Sequence, residues 1–469
     1  MMPIYEMLKK YSKTNPLPFH MPGHVLGRGL AEEMKAAGSL DITEIPGSDC
    51  LHHPDGVIKD AQMLASRCFG SDYTYFMVNG STSGIHAMLQ AALDPGDKII
   101  LGRDCHISVL NGLAQLNCEP VFVLPRIDEE YHIPLGVTAA DLEPVIKANP
   151  DARCIFVTRP GYYGTAAKLE EIVRTTHDHN IPLLVDEAHG AHFRFHKNLP
   201  QTAMDAGADL CVQSLHKTLP ALTQTALLHR KENGMISGKR IDKTVSMVQT
   251  TSPSYILMAS MDIARDIMEK QGEYLYEKLS QMIDDFDRKL EKETEVKRYK
   301  CSKEGFDNDF SRIVLNFEAL GISGFQVEEL LRTQFGIVAE MADPCNVVLI
   351  ATPFHTSEDF DKLLSALKNI SLRYRMAGDS RHRLLSSFPY YLPKRIKSVR
   401  EALFAEKRVL PAEKSAGEIC GSFITPYPPG IPMICPGELI TADMAEYVST
   451  LNKCGYAIHG VNNGNIEVI

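Results

Sequence analysis

Three groups of residues have types and spacing that could do chemistry. Asn79-Gly80-Ser81-Thr82-Ser83-Gly84 follows the apolar run Tyr75-Phe76-Met77-Val78 and opens a helix-length stretch. Backbone N–H groups at a helix start, joined by small hydroxyls, form a cradle for a phosphate. No Gly-Lys-Ser/Thr follows, so it is not a Walker loop. Asp186 opens Asp186-Glu187-Ala188-His189-Gly190, directly after the apolar run 181–185, and Lys217 lies in Ser214-Leu215-His216-Lys217-Thr218, directly after the run 210–212. A lysine just past a buried strand can be desolvated into a nucleophilic amine. Taken singly, each group has an ordinary reading as a helix cap, a turn carboxylate or a solvated amine. Taken together, a phosphate cradle, an acid after one strand and a lysine after the next meet the needs of pyridoxal phosphate. The lysine would form the Schiff base, and the acid would keep the pyridine nitrogen protonated.

The elements that must position these groups follow from periodicity. Between residues 57 and 229, short runs rich in Ile, Leu and Val (98–101, 121–124, 153–157, 181–185 and 210–212) alternate with helix-length amphipathic stretches (81–93, 108–117, 139–148 and 167–180). That β-α alternation predicts buried parallel strands in a doubly wound α/β sheet. In such sheets ligands sit beyond the carboxyl ends of the strands, where Asp186 and Lys217 fall. Five segments are expected: an N-terminal arm (1–56) with turn signals at Pro22-Gly23 and Pro46-Gly47, a large cofactor-binding α/β domain (57–253), a helical connector (254–295), a small α+β domain (296–390) and a C-terminal segment (391–469). Within them, the connector reads as one helix over 255–292. The small domain reads as strands at 312–317 and 346–350 with helices at 325–334 and 357–372. The last segment carries the irregular stretch Thr425-Pro426-Tyr427-Pro428-Pro429-Gly430-Ile431-Pro432.

The 469 residues hold 49 Lys+Arg against 59 Asp+Glu, a net charge of −10, which argues against nucleic acid as a partner. No apolar run is long enough to span a membrane, and the first residues carry no signal core. Eleven cysteines without a CxxC pair read as reduced thiols, so a cytoplasmic location is expected. The histidine groups His20/His24, His52/His53 and His189/His192/His196 are candidate metal ligands by residue type. His20 and His24 straddle Pro22-Gly23, and His192 and His196 follow a strand end within the apolar alternation Ala191-His192-Phe193-Arg194-Phe195-His196, so no helix aligns either pair and no metal is expected.

The order Asn79-Gly80-Ser81-Thr82, Asp186-Glu187-Ala188-His189 and Ser214-Leu215-His216-Lys217 resembles fold-type-I pyridoxal phosphate enzymes. More narrowly, the chain resembles the bacterial ornithine/lysine/arginine decarboxylases. The likeness also rests on Phe19-His20-Met21-Pro22-Gly23-His24, Leu51-His52-His53-Pro54, Tyr162-Tyr163-Gly164, Thr250-Thr251-Ser252-Pro253, Pro428-Pro429-Gly430-Ile431-Pro432 and Pro436-Gly437-Glu438. Because the first of these stands so near the start, the chain looks like the short form that lacks the N-terminal wing domain.

The resemblance implies a fold-type-I, transferase-like large domain with a mostly parallel sheet and an α+β C-terminal domain. It implies decarboxylation of a basic amino acid in polyamine biosynthesis: arginine to agmatine first, then lysine to cadaverine or ornithine to putrescine. Residue by residue, it implies that Gly80, Ser81 and Thr82 hold the phosphate with Ser214 and His216. His106 would stack on the ring, Asp186 would pair with its nitrogen, Lys217 would carry the Schiff base, and His189 would lie near the scissile carboxylate. Thr251 and Ser252 would reach the phosphate of a neighbouring subunit, giving a homodimer or larger homo-oligomer with shared sites. Glu44, Asp49 and Glu438 are candidate acceptors for the substrate's distal cation. Ile107-Ser108, Arg159-Pro160-Gly161-Tyr162 and Asp49-Cys50 depart from the family pattern and leave the choice of substrate open. An aminotransferase or another fold-type-I lyase is the alternative. An aminotransferase would need an arginine for the α-carboxylate, for which Arg312 and Arg332 are available. A binding protein that had lost catalysis would be expected to lack Lys217 or Asp186.

Overall fold

The computed structural model describes residues 1–374, 391–426, 430–453 and 456–469. Pro428 and Pro429 of the Pro-rich motif, and the expected boundary at residue 390, lie outside the described residues. The chain forms two compact units. The first comprises Met1–Ala92 and Leu169–Tyr274, and the second comprises Leu93–Lys168 and Leu275–Ile469.

In the first unit four strands lie in the order Tyr73–Met77, Ala226–Arg230, Leu210–Ser214, Leu183–Asp186. The last two pair in parallel, with Asp186 opposite Val212, while Ala226–Arg230 runs antiparallel to both its neighbours. The sheet is therefore mixed. The strand Ala226–Arg230 went unread because its Leu-Leu core is followed by His229 and Arg230, which look exposed in sequence but are buried here. The helix Gly80–Ala92 packs against Leu210–Ser214 so closely that a Cβ on Gly84 would come within 2.6 Å of a Val212 methyl. Only glycine permits that approach. A further helix, Gly238–Val248, ties to it through the Thr244 hydroxyl, which donates to the Ala87 carbonyl at 3.0 Å.

Asp209 fixes the register at the entry of the parallel pair. Its Oδ2 accepts from the Leu183 N–H at 2.8 Å and meets His177 Nε2 at 2.9 Å, and its Oδ1 accepts from the Met235 N–H. The expected N-terminal arm contains a helix, Pro3–Lys13, with proline in its first turn and Ile4 and Leu8 buried one turn apart. Its apolar spacing was the signal for it.

The second unit carries three parallel strands in the order Cys154–Thr158, Lys98–Gly102, Glu119–Val123. It also holds an antiparallel sheet in which Arg312–Asn316 and Asn346–Ile350 are central, flanked by the helices Gly324–Phe335 and Ser357–Tyr374. The C-terminal segment has a core of its own, with Cys420, Ile424, Ile434, Ile440, Met444 and Val468 all buried. The helix Tyr255–Glu293 runs unbroken for 39 residues, as its few breakers predict.

Candidate active site

The chemistry-bearing residues of the first unit gather at the carboxyl ends of two strands and at one helix start. Leu183–Asp186 is buried throughout and ends on Asp186, whose side chain is 4 % exposed. Asp186 Oδ1 accepts from the Ala188 N–H at 3.0 Å, and among the described residues no cation pairs with the carboxylate. Leu210–Ser214 is also buried throughout and passes directly into a single helical turn, Leu215–Thr218, that carries Lys217. Lys217 Nζ lies 3.0 Å from His189 Nε2, so the segment after one strand and the turn after the next meet at these two side chains. With the amine donating, His189 accepts through Nε2, and the ring is neutral in this arrangement.

His216 is oriented by its own backbone environment, its Nδ1 donating to the Thr225 carbonyl at 2.9 Å. Burial holds its pKa below the ordinary value and the neighbouring Lys217 charge adds to that, outweighing the Thr225 bond. His216 is therefore neutral at physiological pH. Ser214 Oγ is buried, with no hydrogen-bond partner among the described residues. A buried hydroxyl left this way costs free energy unless a ligand satisfies it.

The turn that begins the helix Gly80–Ala92 is built by glutamines absent from the sequence reading. Gln249 Oε1 accepts from the Val78 N–H at 2.8 Å, and Gln224 Nε2 donates to the Val78 carbonyl at 2.8 Å. Gly80 has a φ of +76°, a conformation that favours glycine. The Ser83 hydroxyl donates back to the Gly80 carbonyl at 2.8 Å, while Ser81 is half-buried and Thr82 exposed. The Thr250 N–H donates to Asn79 Oδ1 at 3.1 Å, which brings the Thr250–Thr251–Ser252 segment beside the Asn79–Gly80 turn of the same unit. Thr251 and Ser252 are both exposed there. An orphaned buried hydroxyl, a helix start with a positive-φ glycine, a buried carboxylate without a cation and an amine beside an imidazole together fit pyridoxal phosphate.

A third residue missed from the sequence is Glu187, adjacent to Asp186 and fully buried. It accepts from the Ala203 N–H at 2.9 Å and from Gln213 Nε2 at 2.7 Å. Gln213 Oε1 in turn accepts from His229 Nε2 at 3.1 Å, and His229 Nδ1 accepts from the Thr74 hydroxyl at 2.9 Å. Burial, and secondarily the Lys231 charge, drives the His229 pKa down to about 3, so His229 is neutral in this cross-strand chain. Its signal was a polar residue at alternate strand positions, Gln213 and His229, within otherwise apolar runs.

Of the acids proposed for the substrate, Asp49 and Glu44 lie in the first unit. Both Asp49 oxygens are engaged by backbone: Oδ1 accepts from Cys50 and Asp55, and Oδ2 from Gly56, Ile58 and Lys59. Burial alone would raise its pKa, but those N–H bonds prevail and hold it below the usual carboxylate value. Asp49 therefore organises the start of the helix Val57–Phe69. Glu44 is exposed beside Cys50, whose thiol is pushed up by burial and then by that carboxylate.

His106 and Glu438 belong to the second unit. His106 caps the helix Ile107–Leu116, its Nδ1 accepting from the Ser108 N–H at 3.2 Å and lying 2.8 Å from Ser108 Oγ. The departure Ile107-Ser108 thus supplies the cap partner. Glu438 is 2 % exposed, and its Oε2 meets Arg103 Nη2 at 3.1 Å. Arg332 is exposed and paired with Glu328 on its own helix, whereas Arg312 is buried, its guanidinium 6.0 Å from the Tyr162 ring centre. Arg159, at another departure, donates from Nε to the Ala167 carbonyl at 2.8 Å.

The family model described as Orn/Lys/Arg decarboxylase, major domain, matches residues 2–308, and that for the C-terminal domain matches residues 381–464. The chain belongs to this decarboxylase family. It is 36 % identical to the arginine decarboxylase of Bacillus anthracis over 100 % of this chain and 96 % of that protein. It is 35 % identical to the arginine decarboxylase of Bacillus subtilis strain 168, over 100 % of this chain and 97 % of the relative. Among solved structures, the lysine decarboxylase of Francisella novicida superposes with a TM-score of 0.87 at 22 % identity, covering 100 % of this chain and 81 % of that one. The Orn/Lys/Arg decarboxylase family is pyridoxal phosphate-dependent, which agrees with the fit of the site. A Bacillus subtilis ureidoglycine–glyoxylate aminotransferase shares the fold over 70 % of this chain and 88 % of its own, with a TM-score of 0.54 at 12 % identity. No described helix is long and apolar enough to cross a membrane.

Asp104, two residues before His106, is buried, and burial pushes its carboxyl from 3.8 up to about 6, partly offset by its own N–H. The folded chain thus binds this proton more tightly than the unfolded chain. Its favourable contribution is complete below pH 3.8 and is lost as the pH rises through about 6. Denaturant titrations of wild type and Asp104→Asn at pH 4 and pH 7 test this. The variant gains relative to wild type by roughly 2 kcal/mol between the two pH values, because part of the shift, at 1.36 kcal/mol per unit, is already expressed at pH 4. Parallel stability curves would contradict it.

Proposed function

We propose that this chain decarboxylates L-arginine to agmatine, with lysine and ornithine as the next substrates, and that it serves polyamine biosynthesis in the cytoplasm. Full-length identity of about 36 % to arginine decarboxylases supports the substrate. The observation that carries the activity is the contact of Lys217 with His189, on the turn after one strand and the segment after its parallel neighbour, which ends in buried Asp186.

When bound, pyridoxal phosphate supplies an electron-poor ring that accepts the electron pair of the broken Cα–carboxylate bond. Asp186, buried and without a cationic partner among the described residues, would keep the ring nitrogen protonated and so stabilise the charge that develops. Gly80, Ser81 and Thr82 at the helix start would hold the phosphate together with Ser214, whose hydroxyl has no partner among the described residues. His216 is held neutral and contributes a dipole to that shell. His106 would hold the ring by stacking. Lys217 would hold the cofactor covalently, and its Nζ and the His189 imidazole would form the pair that returns a proton to the α-carbon. His189 also borders the departing carboxylate, and exclusion of water there favours its conversion to neutral CO2. Glu44, with its exposed carboxylate, is the favoured acceptor for the guanidinium, because both Asp49 oxygens are committed to backbone N–H groups.

CO2 release from arginine, lysine, ornithine and several neutral amino acids distinguishes these readings. Arginine should give the highest kcat/KM. Activity confined to neutral substrates, or amino transfer without CO2, would contradict the proposal.

Thr251 and Ser252 present exposed hydroxyls that supply the phosphate shell of a neighbouring subunit, making a homodimer the least active unit. A Lys217→Ala chain mixed with a Thr251→Ala/Ser252→Ala chain under subunit exchange should regain activity approaching one intact site per mixed dimer. If exchange is verified by mass and no activity returns, each site is built within one chain.

A further inference from the structure

We propose that Arg103 and Glu438 are positioning residues for His106, through which the C-terminal segment sets the ring that stacks on the cofactor. The inference rests on the reading of His106 given above and gives Glu438 a role other than substrate contact. Arg103 leaves the end of the strand Lys98–Gly102, its N–H donating to the Val123 carbonyl at 2.8 Å. Its buried guanidinium then reaches into the C-terminal segment. Nη1 donates to the Pro432 carbonyl at 2.7 Å, and Nη2 to the Met433 carbonyl at 3.0 Å and to Glu438 Oε2 at 3.1 Å. Glu438 Oε2 also accepts from the Cys435 N–H at 2.7 Å, closing the turn that carries it. On the other side of His106, the Ile107 N–H donates to the Gly430 carbonyl at 3.1 Å. The C-terminal segment therefore grips the chain both three residues before His106 and one residue after it.

Stability alone does not call for this arrangement. A buried ion pair gives up so much hydration that a well-packed apolar pair serves cohesion as well or better. What the forked guanidinium adds is direction, since two carbonyls and one carboxylate fix it in one pose. The same pose fixes the turn from which His106 projects. Glu438, with its side chain 3 % exposed and Oε2 doubly engaged, is placed for that task and not for a substrate cation.

The test is a double-mutant cycle with wild type, Glu438→Gln, His106→Ala and the double variant. The measurements are the Kd for pyridoxal phosphate, the absorbance maximum of the bound cofactor, and kcat and KM for L-arginine at saturating cofactor. Glu438→Gln should weaken cofactor binding about ten-fold, a coupling usual for contacting networks, shift the absorbance maximum and lower kcat with KM unchanged. In the His106→Ala background, the same substitution should change the cofactor Kd by less than about two-fold. Arg103→Lys keeps the charge but loses the fork; it should reproduce the pattern, and it replaces Glu438→Gln in the cycle should that variant not fold. A defect in His106→Ala to which Glu438→Gln adds in full would overturn the proposal alone, as would a rise confined to KM. A His106→Ala protein with wild-type cofactor affinity and spectrum would overturn the reading of His106 and the proposal with it.

Discussion

The site depends on one backbone constraint, the parallel pairing of Leu183–Asp186 with Leu210–Ser214. Parallel strands end at the same edge of a sheet, so a carboxylate that ends one and a lysine three residues past the other arrive together. An antiparallel pair would send them to opposite edges. Asp209 sets the register at the far end by taking the Leu183 N–H, and Glu187 sets it at the near end by binding Gln213 across the pair. The buried polar chain through Gln213 and His229 is costly unless every member is bonded, and a one-residue slip would break it along with the Asp186–Val212 register.

Much of this was legible in the sequence because it follows from period. The helix Ala139–Ala148 and the strand Asn346–Ile350 match their expected bounds, since apolar spacing and a Thr138 cap define the first and a Val-Val-Leu-Ile run the second. The strands before Asp186 and Lys217 were found for the same reason. The antiparallel strand Ala226–Arg230 was not, because His229 and Arg230 look like surface residues until the sheet buries them. Periodicity reports where apolar residues fall; it cannot report that a histidine's partners are a glutamine and a threonine far away in sequence.

The site residues divide along the same line. Asp186, Lys217 and the Gly80 turn were readable because their chemistry is local to a strand end or helix start. Asp49 and Glu438 were picked as loose acids near motifs, but local sequence carries no sign of what satisfies a carboxylate. Asp49 is taken up by five backbone N–H groups of the loop and helix that follow it. Glu438 is taken up by an arginine 335 positions away. Both are spent on shape, whereas Glu44 is exposed.

The account stands on Lys217 as the amine that holds the cofactor. The most direct measurement is borohydride reduction of the protein reconstituted with pyridoxal phosphate, followed by tryptic digestion and mass spectrometry. The account predicts the pyridoxyl mass on a single peptide spanning Lys217, uncleaved at that residue and lost in Lys217→Ala. A label on any other lysine, or no label on a protein that binds the cofactor, would contradict it.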